Sequence, residues 1–197
     1  MLKMHNEKHD ISCAIFAGGK NSRMGTRKAF LKFKGKTFIE TIRDYASAYF
    51  ESIFIVSDKE EGFFIDKTPV VKDIIPGRGP LGALYTALNA SDRDRLFVIA
   101  CDMPFANDLL IQRIIRKSAD SAFDCFIPRS ANGPEPLFGI YRKRLEFAVK
   151  EEILAGRLNV SKFLEKRGTY YINIDDDDKG LININTPKEY ESYAGEI

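Results

Sequence analysis

Histidine is almost missing from this chain. There are two, His5 and His9, both within the first ten residues. A reaction that needs a histidine base or a histidine-held metal therefore has no candidate in the body of the sequence. Cysteine is scarce as well. Cys13, Cys101 and Cys125 are odd in number, lack C-x-x-C spacing and each sit in an apolar run. That pattern excludes a disulfide framework and reads as buried, reduced thiols in a cytoplasmic protein. Neither sign of charge prevails, with 30 basic against 28 acidic residues, so no global field argues for a nucleic-acid or membrane partner. No apolar run approaches the ~20 residues that span a bilayer. The opening MLKMHNEKHD is too polar for a signal peptide. No linker rich in proline and serine and no internal repeat divides the chain, and its 197 residues, 44% hydrophobic, suffice for one buried core. The expectation is one soluble, cytoplasmic domain in which local basic clusters carry any anion binding.

Two phosphate loops are absent from the first glycine turn, where neither G-x-x-x-x-G-K-[ST] nor G-x-G-x-x-G stands. Instead the apolar run Ile11 to Ala17, short enough for a buried strand, breaks into Gly18-Gly19 and then AGGKNSRMGTRK continues with Lys20, Arg23 and Lys28. A glycine turn offers bare backbone N–H groups, and spaced cations neutralise the oxygens of a polyphosphate. A strand–turn–helix with a solvated basic loop is the plainer alternative.

Residues 1–10 read as a mobile tail and 11–197 as the folded domain, with a nucleotide-binding half over about 11–105 and an acceptor-side half over about 106–197. A helical pattern from about Thr37 to Phe50 opens on a capping box, Thr37 with Glu40, and carries Phe38, Ile39, Ile42, Tyr45, Ala46 and Tyr49 on one face. Strands are expected at Ser52–Ser57, Val70–Val71, Leu96–Ala100, Asp124–Pro128, Leu137–Tyr141 and Tyr170–Ile174. Helices are expected from Gly79, over Asp108–Lys117, near 142–154 and 159–167, and from Pro187. Alternating strands and helices predict a doubly wound, mainly parallel α/β sheet with helices on both faces, a Rossmann-like arrangement.

In such a sheet ligands collect outside the carboxyl ends of the strands, near the switch in strand order. The residues just past each strand are therefore informative. The glycine loop comes after the first. Asp73 and the stretch Pro76-Gly77-Arg78-Gly79-Pro80-Leu81-Gly82 come after the third, and Cys101-Asp102-Met103-Pro104 comes after LFVIA. A carboxylate at the mouth of the sheet suits a cation, and Mg²⁺ binds through one or two carboxylates plus phosphate oxygens. Asp102 is thus the metal candidate, with a turn or helix-cap aspartate as the alternative. Asp73 can accept from a guanine N1–H and N2–H₂ edge with both oxygens, or be a turn residue.

The blocks AGGKNSRMGTRK, DIIPGRGPLGAL with VIACDMP, and LININTPKEYE together resemble the nucleotidyltransferases, most closely the molybdenum cofactor guanylyltransferases, over about residues 11–193. The resemblance implies a nucleotidyltransferase fold and the transfer of GMP from GTP to the phosphate of molybdopterin, with pyrophosphate released. It implies that Phe16, Ala17, Gly18, Gly19, Lys28, Ser57 and Asp73 hold GTP, that Asp102 holds Mg²⁺, and that Asn183 and Asn185 face the acceptor. The mechanism is in-line attack by an acceptor phosphate oxygen on the α-phosphorus, with Arg23, Lys28 and Asp102 catalytic. The acceptor phosphate is ionised near pH 7, so no general base is needed. GTP and molybdopterin are the implied partners, with transient contacts to cofactor-synthesis proteins or molybdoenzymes.

Two positions depart from the pattern: Arg27 stands where the family usually has Asp, and Phe16 where it commonly has Leu. Two alternatives stay open, a cytidylyltransferase acting on molybdopterin or on a sugar or polyol phosphate, and a nucleotide-binding partner of cofactor insertion that does not turn over. Asp175 to Asp178 reads as a solvated acidic turn. Arg142-Lys143-Arg144 reads as a solvated cluster, with a contact to a pterin phosphate as the other reading.

Overall fold

A computed structural model describes residues 8–18, 28–58, 65–175 and 179–193. Its core is a sheet whose strands run β1 (Ser12–Phe16), β4 (Ile53–Ser57), β5 (Val70–Lys72), β6 (Arg95–Ala100), β7 (Cys125–Ser130), β8 (Gly133–Pro134), β9 (Phe138–Arg142) and β10 (Thr169–Asn173). A short hairpin, β2 (Lys32–Phe33) and β3 (Lys36–Thr37), stands apart from it. The order across the sheet is β10-β7-β9-β6-β1-β4-β5, with β8 paired to β7.

Strands β6, β1, β4 and β5 are mutually parallel, and β10 is parallel to β7. Strand β9 runs antiparallel between β6 and β7. The chain winds outward from β1 to β4 and β5, then returns to lay β6 on the other side of β1, so the switch in strand order falls between β1 and β6.

Alternate residues of each strand face opposite ways, and the core divides accordingly. Cys13, Ile15, Phe97 and Ile99 pack with helices α1 (Phe38–Ser47) and α3 (Asp108–Lys117). Ala14, Phe16, Leu96 and Val98 pack with α2 (Gly79–Ala90), α4 (Glu146–Leu154) and α5 (Val160–Glu165). Helices therefore cover both faces, and the fold is the doubly wound, mainly parallel α/β arrangement. Helix α1 begins where the sequence places its cap: Thr37 accepts from the Glu40 amide and the Glu40 carboxylate accepts from the Thr37 amide.

The expected tail reaches residues the structure describes at its end. The His9 amide donates to the Tyr49 carbonyl at 2.9 Å, and the Asp10 carboxylate meets Arg93 at 2.6 Å. One expectation is overturned in part: of Arg142, Lys143 and Arg144 only Arg144 is exposed, while Arg142 is buried and donates to Asp94, to Ser118 O and to Asp120 O. Lys143 donates to the carbonyls of Leu88, Asn89 and Ser91, which end α2, and Arg144 donates to Asp124. These cations satisfy helix-end and loop carbonyls. They lie at the carboxyl end of the antiparallel strand β9, the edge opposite the candidate site, and so make no contact with a phosphate there. Of the acidic run, Asp176 to Asp178 fall outside the described residues.

The closing segment folds back over the hairpin. Helix α6 (Pro187–Ser192) has its own capping box from Thr186 and Glu189. The Tyr190 hydroxyl donates to the Lys32 carbonyl at 2.8 Å, and Ile184 packs with Phe38 in a small apolar cluster.

Candidate active site

A cavity of about 430 Å³ lies on the rim formed by the carboxyl ends of β1, β4, β5 and β6 and the amino end of β9. Its lining includes Phe16, Ala17, Gly18, Lys28, Ser57, Asp73 and Asp102. These are expected nucleotide-site residues that begin on separate strands, and the sheet brings them to one place. Gly19 and Arg23 lie outside the described residues, as does Arg27.

Asp102 sits two residues past β6. Its position is fixed by main chain: the Cys101 amide donates to Phe16 O at 3.0 Å, and the Ile184 amide donates to Asp102 O at 2.9 Å. Its carboxylate accepts from Lys28 Nζ at 3.0 Å, and the two side chains are 17% and 20% exposed, sheltered enough for the pairing to matter. Lys28 opens a single turn of 3₁₀ helix, and Lys28 Nζ also donates to Asn185 Oδ1 at 2.6 Å. An ammonium has three protons to donate, so one remains for a ligand oxygen. The lysine ties the first loop, the central strand end and the closing segment together.

Asp73 is fixed in a different way. Its amide donates to Ser57 O at 2.9 Å. Asp73 Oδ1 accepts from the buried Thr86 hydroxyl at 2.8 Å and from the Ile75 amide at 3.2 Å. Both lone pairs of that oxygen are thereby occupied, which leaves Oδ2 for a ligand. The expected two-oxygen contact to a guanine edge is thus reduced to contacts through one oxygen.

The stretch after Asp73 shows why it is rich in glycine. Gly77 and Gly79 have φ of +78° and +61°, the left-handed region that side chains avoid. A Cβ on Gly82 would lie 2.9 Å from Arg78 Cβ and 3.0 Å from Ile75 O, so the loop packs onto α2 only because position 82 has none. No side chain caps the first turn of α2, whose Gly79, Pro80 and Ala83 line the cavity. Uncapped amides at a helix start favour an anion. Gly18 is different: an added Cβ would come no closer than 3.6 Å to protein atoms, so protein packing does not demand glycine there.

The two asparagines expected to face the acceptor are held by charged partners. Asn185 accepts from Lys28, which lines the cavity, whereas Asn183 Nδ2 donates to Glu135 Oε2 at 2.9 Å. Glu135 is a residue the sequence pattern does not single out, lying between Pro134 and Pro136 just before β9. Burial pushes its carboxyl above the usual range, with the Asp102 charge adding to the rise, while the Leu137 amide and Asn183 oppose it. Asp58, after Ser57, also lines the cavity. Two cysteines serve packing: Cys13 and Cys125 are free and buried, and burial pushes the Cys125 thiol up to about 12.

The family described as the MobA-like NTP transferase domain matches residues 13–169 of the chain. A probable molybdenum cofactor guanylyltransferase of Natranaerobius thermophilus is 33% identical over 192 residues, covering 92% of this chain and 94% of that protein. Another of the same description, from Clostridium perfringens, is 35% identical over 195 residues, with 91% and 94% covered. Among solved structures, the molybdopterin-guanine dinucleotide biosynthesis protein A of Archaeoglobus fulgidus shares the fold with a TM-score of 0.79 at 22% identity, over 92% of this chain and 96% of its own.

Proposed function

The chain belongs to the family of MobA-like NTP transferase domains, and from that membership we propose that it transfers GMP from GTP to the phosphate of molybdopterin, releasing pyrophosphate and forming the guanine dinucleotide cofactor. The relatives' shared description supports this reading. So does one observation above the rest: the Lys28 ammonium, bonded at once to Asp102 and Asn185, lies between the nucleotide-side and acceptor-side elements.

In the proposed reaction an acceptor phosphate oxygen attacks the α-phosphorus of GTP. A new P–O bond forms as the bond to the β-phosphate oxygen breaks, and pyrophosphate carries the electron pair away. The nucleophile is already ionised, so no proton has to be removed, in keeping with a site built without histidine. The remaining Lys28 proton donates to the phosphate oxygens gathering charge, and Asp102 holds that lysine in place. Amides of the first turn of α2 and the backbone at Phe16, Ala17 and Gly18 cradle the nucleotide, with Ser57 beside them. Asp73 accepts from the base through Oδ2. Arg23 is proposed to join Lys28 on the leaving phosphates.

Asp102 also fits a role in holding Mg²⁺. Its single carboxylate suits an ion that binds through one or two carboxylates and is completed by water and phosphate oxygens. When bound, such an ion supplies charge neutralisation at the phosphates. We assign residues 11–105 to the nucleotide and 106–197 to the acceptor. We place the reaction in the cytoplasm, where three free cysteines are stable, with transient contacts to proteins that make or receive the cofactor.

The reading is tested by pyrophosphate release with molybdopterin and Mg²⁺, comparing GTP, CTP, ATP and UTP. Release with GTP is expected. The single open oxygen of Asp73 would also serve a cytosine amino group, so preference for CTP would move the chain to cytidylyl transfer. GTP binding without release from any nucleotide would favour the non-catalytic reading and point to Arg27.

A further inference from the structure

The two asparagines of the closing segment are held with opposite polarity. Asn183 donates its amide to Glu135 Oε2 at 2.9 Å. Asn185 accepts from Lys28 Nζ at 2.6 Å through its carbonyl oxygen. An ionised carboxylate only accepts and an ammonium only donates, so each amide's orientation is dictated by a charged neighbour. Turning either side chain over would set like poles against each other.

The consequence is a difference in what each asparagine has left to offer. Among the described residues no donor meets Asn183 Oδ1 and no acceptor meets Asn185 Nδ2. Between them Ile184 is buried, and its amide donates to the Asp102 carbonyl at 2.9 Å, which pins the pair beside the metal-candidate carboxylate. Glu135 is itself fixed. Its amide donates to Pro128 O at 3.0 Å, its Oε1 accepts from the Leu137 amide at 3.3 Å, and a proline stands on either side of it.

We infer that Glu135 is a positioning residue for the acceptor: it turns Asn183 into a hydrogen-bond acceptor for the N–H groups of a pterin ring, while Lys28 turns Asn185 into a donor for the acceptor phosphate. The inference rests on the guanylyltransferase reading for the identity of the acceptor. A pterin presents an amino group and ring N–H donors, and its side-chain phosphate presents only acceptors at neutral pH. An asparagine carbonyl suits the first and an asparagine amide the second.

Two measurements test this. In kinetics with GTP and molybdopterin, Glu135→Ala should raise the KM for molybdopterin about tenfold and leave the KM for GTP within about twofold, the scale of one lost hydrogen bond. Because Glu135 acts through Asn183, the double variant with Asn183→Ala should be no worse than Asn183→Ala alone. Additive losses, an equal rise in the KM for GTP, or no change in either would overturn the assignment. The second measurement is side-chain amide proton exchange in the wild-type chain by NMR, which needs no turnover. Asn183 protons should exchange about tenfold more slowly than those of Asn185, which meet no acceptor among the described residues. Equal or reversed rates would overturn the polarity even if Glu135→Ala fails to fold. A wild-type chain that shows the slow Asn183 exchange but never turns over molybdopterin would remove the pterin while keeping the polarity.

Discussion

In the proposed mechanism the chemistry depends most on Asp102 and Lys28, which are paired with each other. Replacing Asp102 by Asn keeps the size and a hydrogen bond to Lys28 but removes the charge. Turnover should fall by about 10² or more, the scale of losing a preorganised electrostatic group, with the melting temperature little changed. Pyrophosphate release and thermal unfolding on the same preparation check both halves, and wild-type turnover would remove Asp102 from the mechanism. Asp102 was legible because an acid directly after a continuous apolar strand has one plausible place to be. Glu135 was not, because its partner Asn183 lies 48 residues away and nothing in GPEPLF announces it. Arg142 and Lys143 were not legible for a related reason: most of their hydrogen bonds go to main-chain carbonyls, which carry no signature in a sequence.

Among the elements, helix caps were the most readable feature. The Thr37–Glu40 box is local, spans three residues and depends on nothing distant. Thr37→Ala should cost about 1 kcal/mol, seen as a lower melting temperature with turnover kept. The loop into α2 was legible as a glycine- and proline-rich approach to a ligand or a helix entry, whereas its left-handed φ values and the contact against Ile75 O need the fold around them. Gly82→Ala should displace that loop, at about 1–3 kcal/mol, and should also raise the KM for GTP. An unchanged KM would show that the loop does not shape the nucleotide site.

The caps also set a pH dependence. Amides of Asn185 and Thr186 donate to Glu189 and hold its carboxyl below the ordinary glutamate value of 4.5. A group with a depressed folded value stabilises above its unfolded value, and that stabilisation is lost as pH falls through the folded one. The melting temperature should therefore drop as pH is lowered below about 4.5, with a shallower drop in Glu189→Gln. Equal slopes would contradict the cap's contribution.

At the scale of the whole molecule, the layers and the rim that carries the cavity were legible, because alternation of strand and helix patterns predicts a doubly wound sheet. The direction of β9 was not. A strand's period of two is the same whichever way it runs, so nothing in Leu137 to Tyr141 distinguishes an antiparallel neighbour. That strand's reversal brings Glu135 and Leu137 to the cavity's side of the sheet and closes the core tightly at Gly139. An added Cβ there would lie 2.6 Å from Phe126 O and 2.7 Å from Ile127 Cδ1. Gly139→Ala should thus lower the melting temperature by more than Thr37→Ala does.

The most direct test of the central claim is transfer of label from GTP carrying ³²P at the α-phosphate to molybdopterin. Guanylyl transfer requires the label in a pterin dinucleotide, with one pyrophosphate released for each. Label that stays in GTP, or that appears as free GMP while molybdopterin is unchanged, would contradict guanylyl transfer to that acceptor.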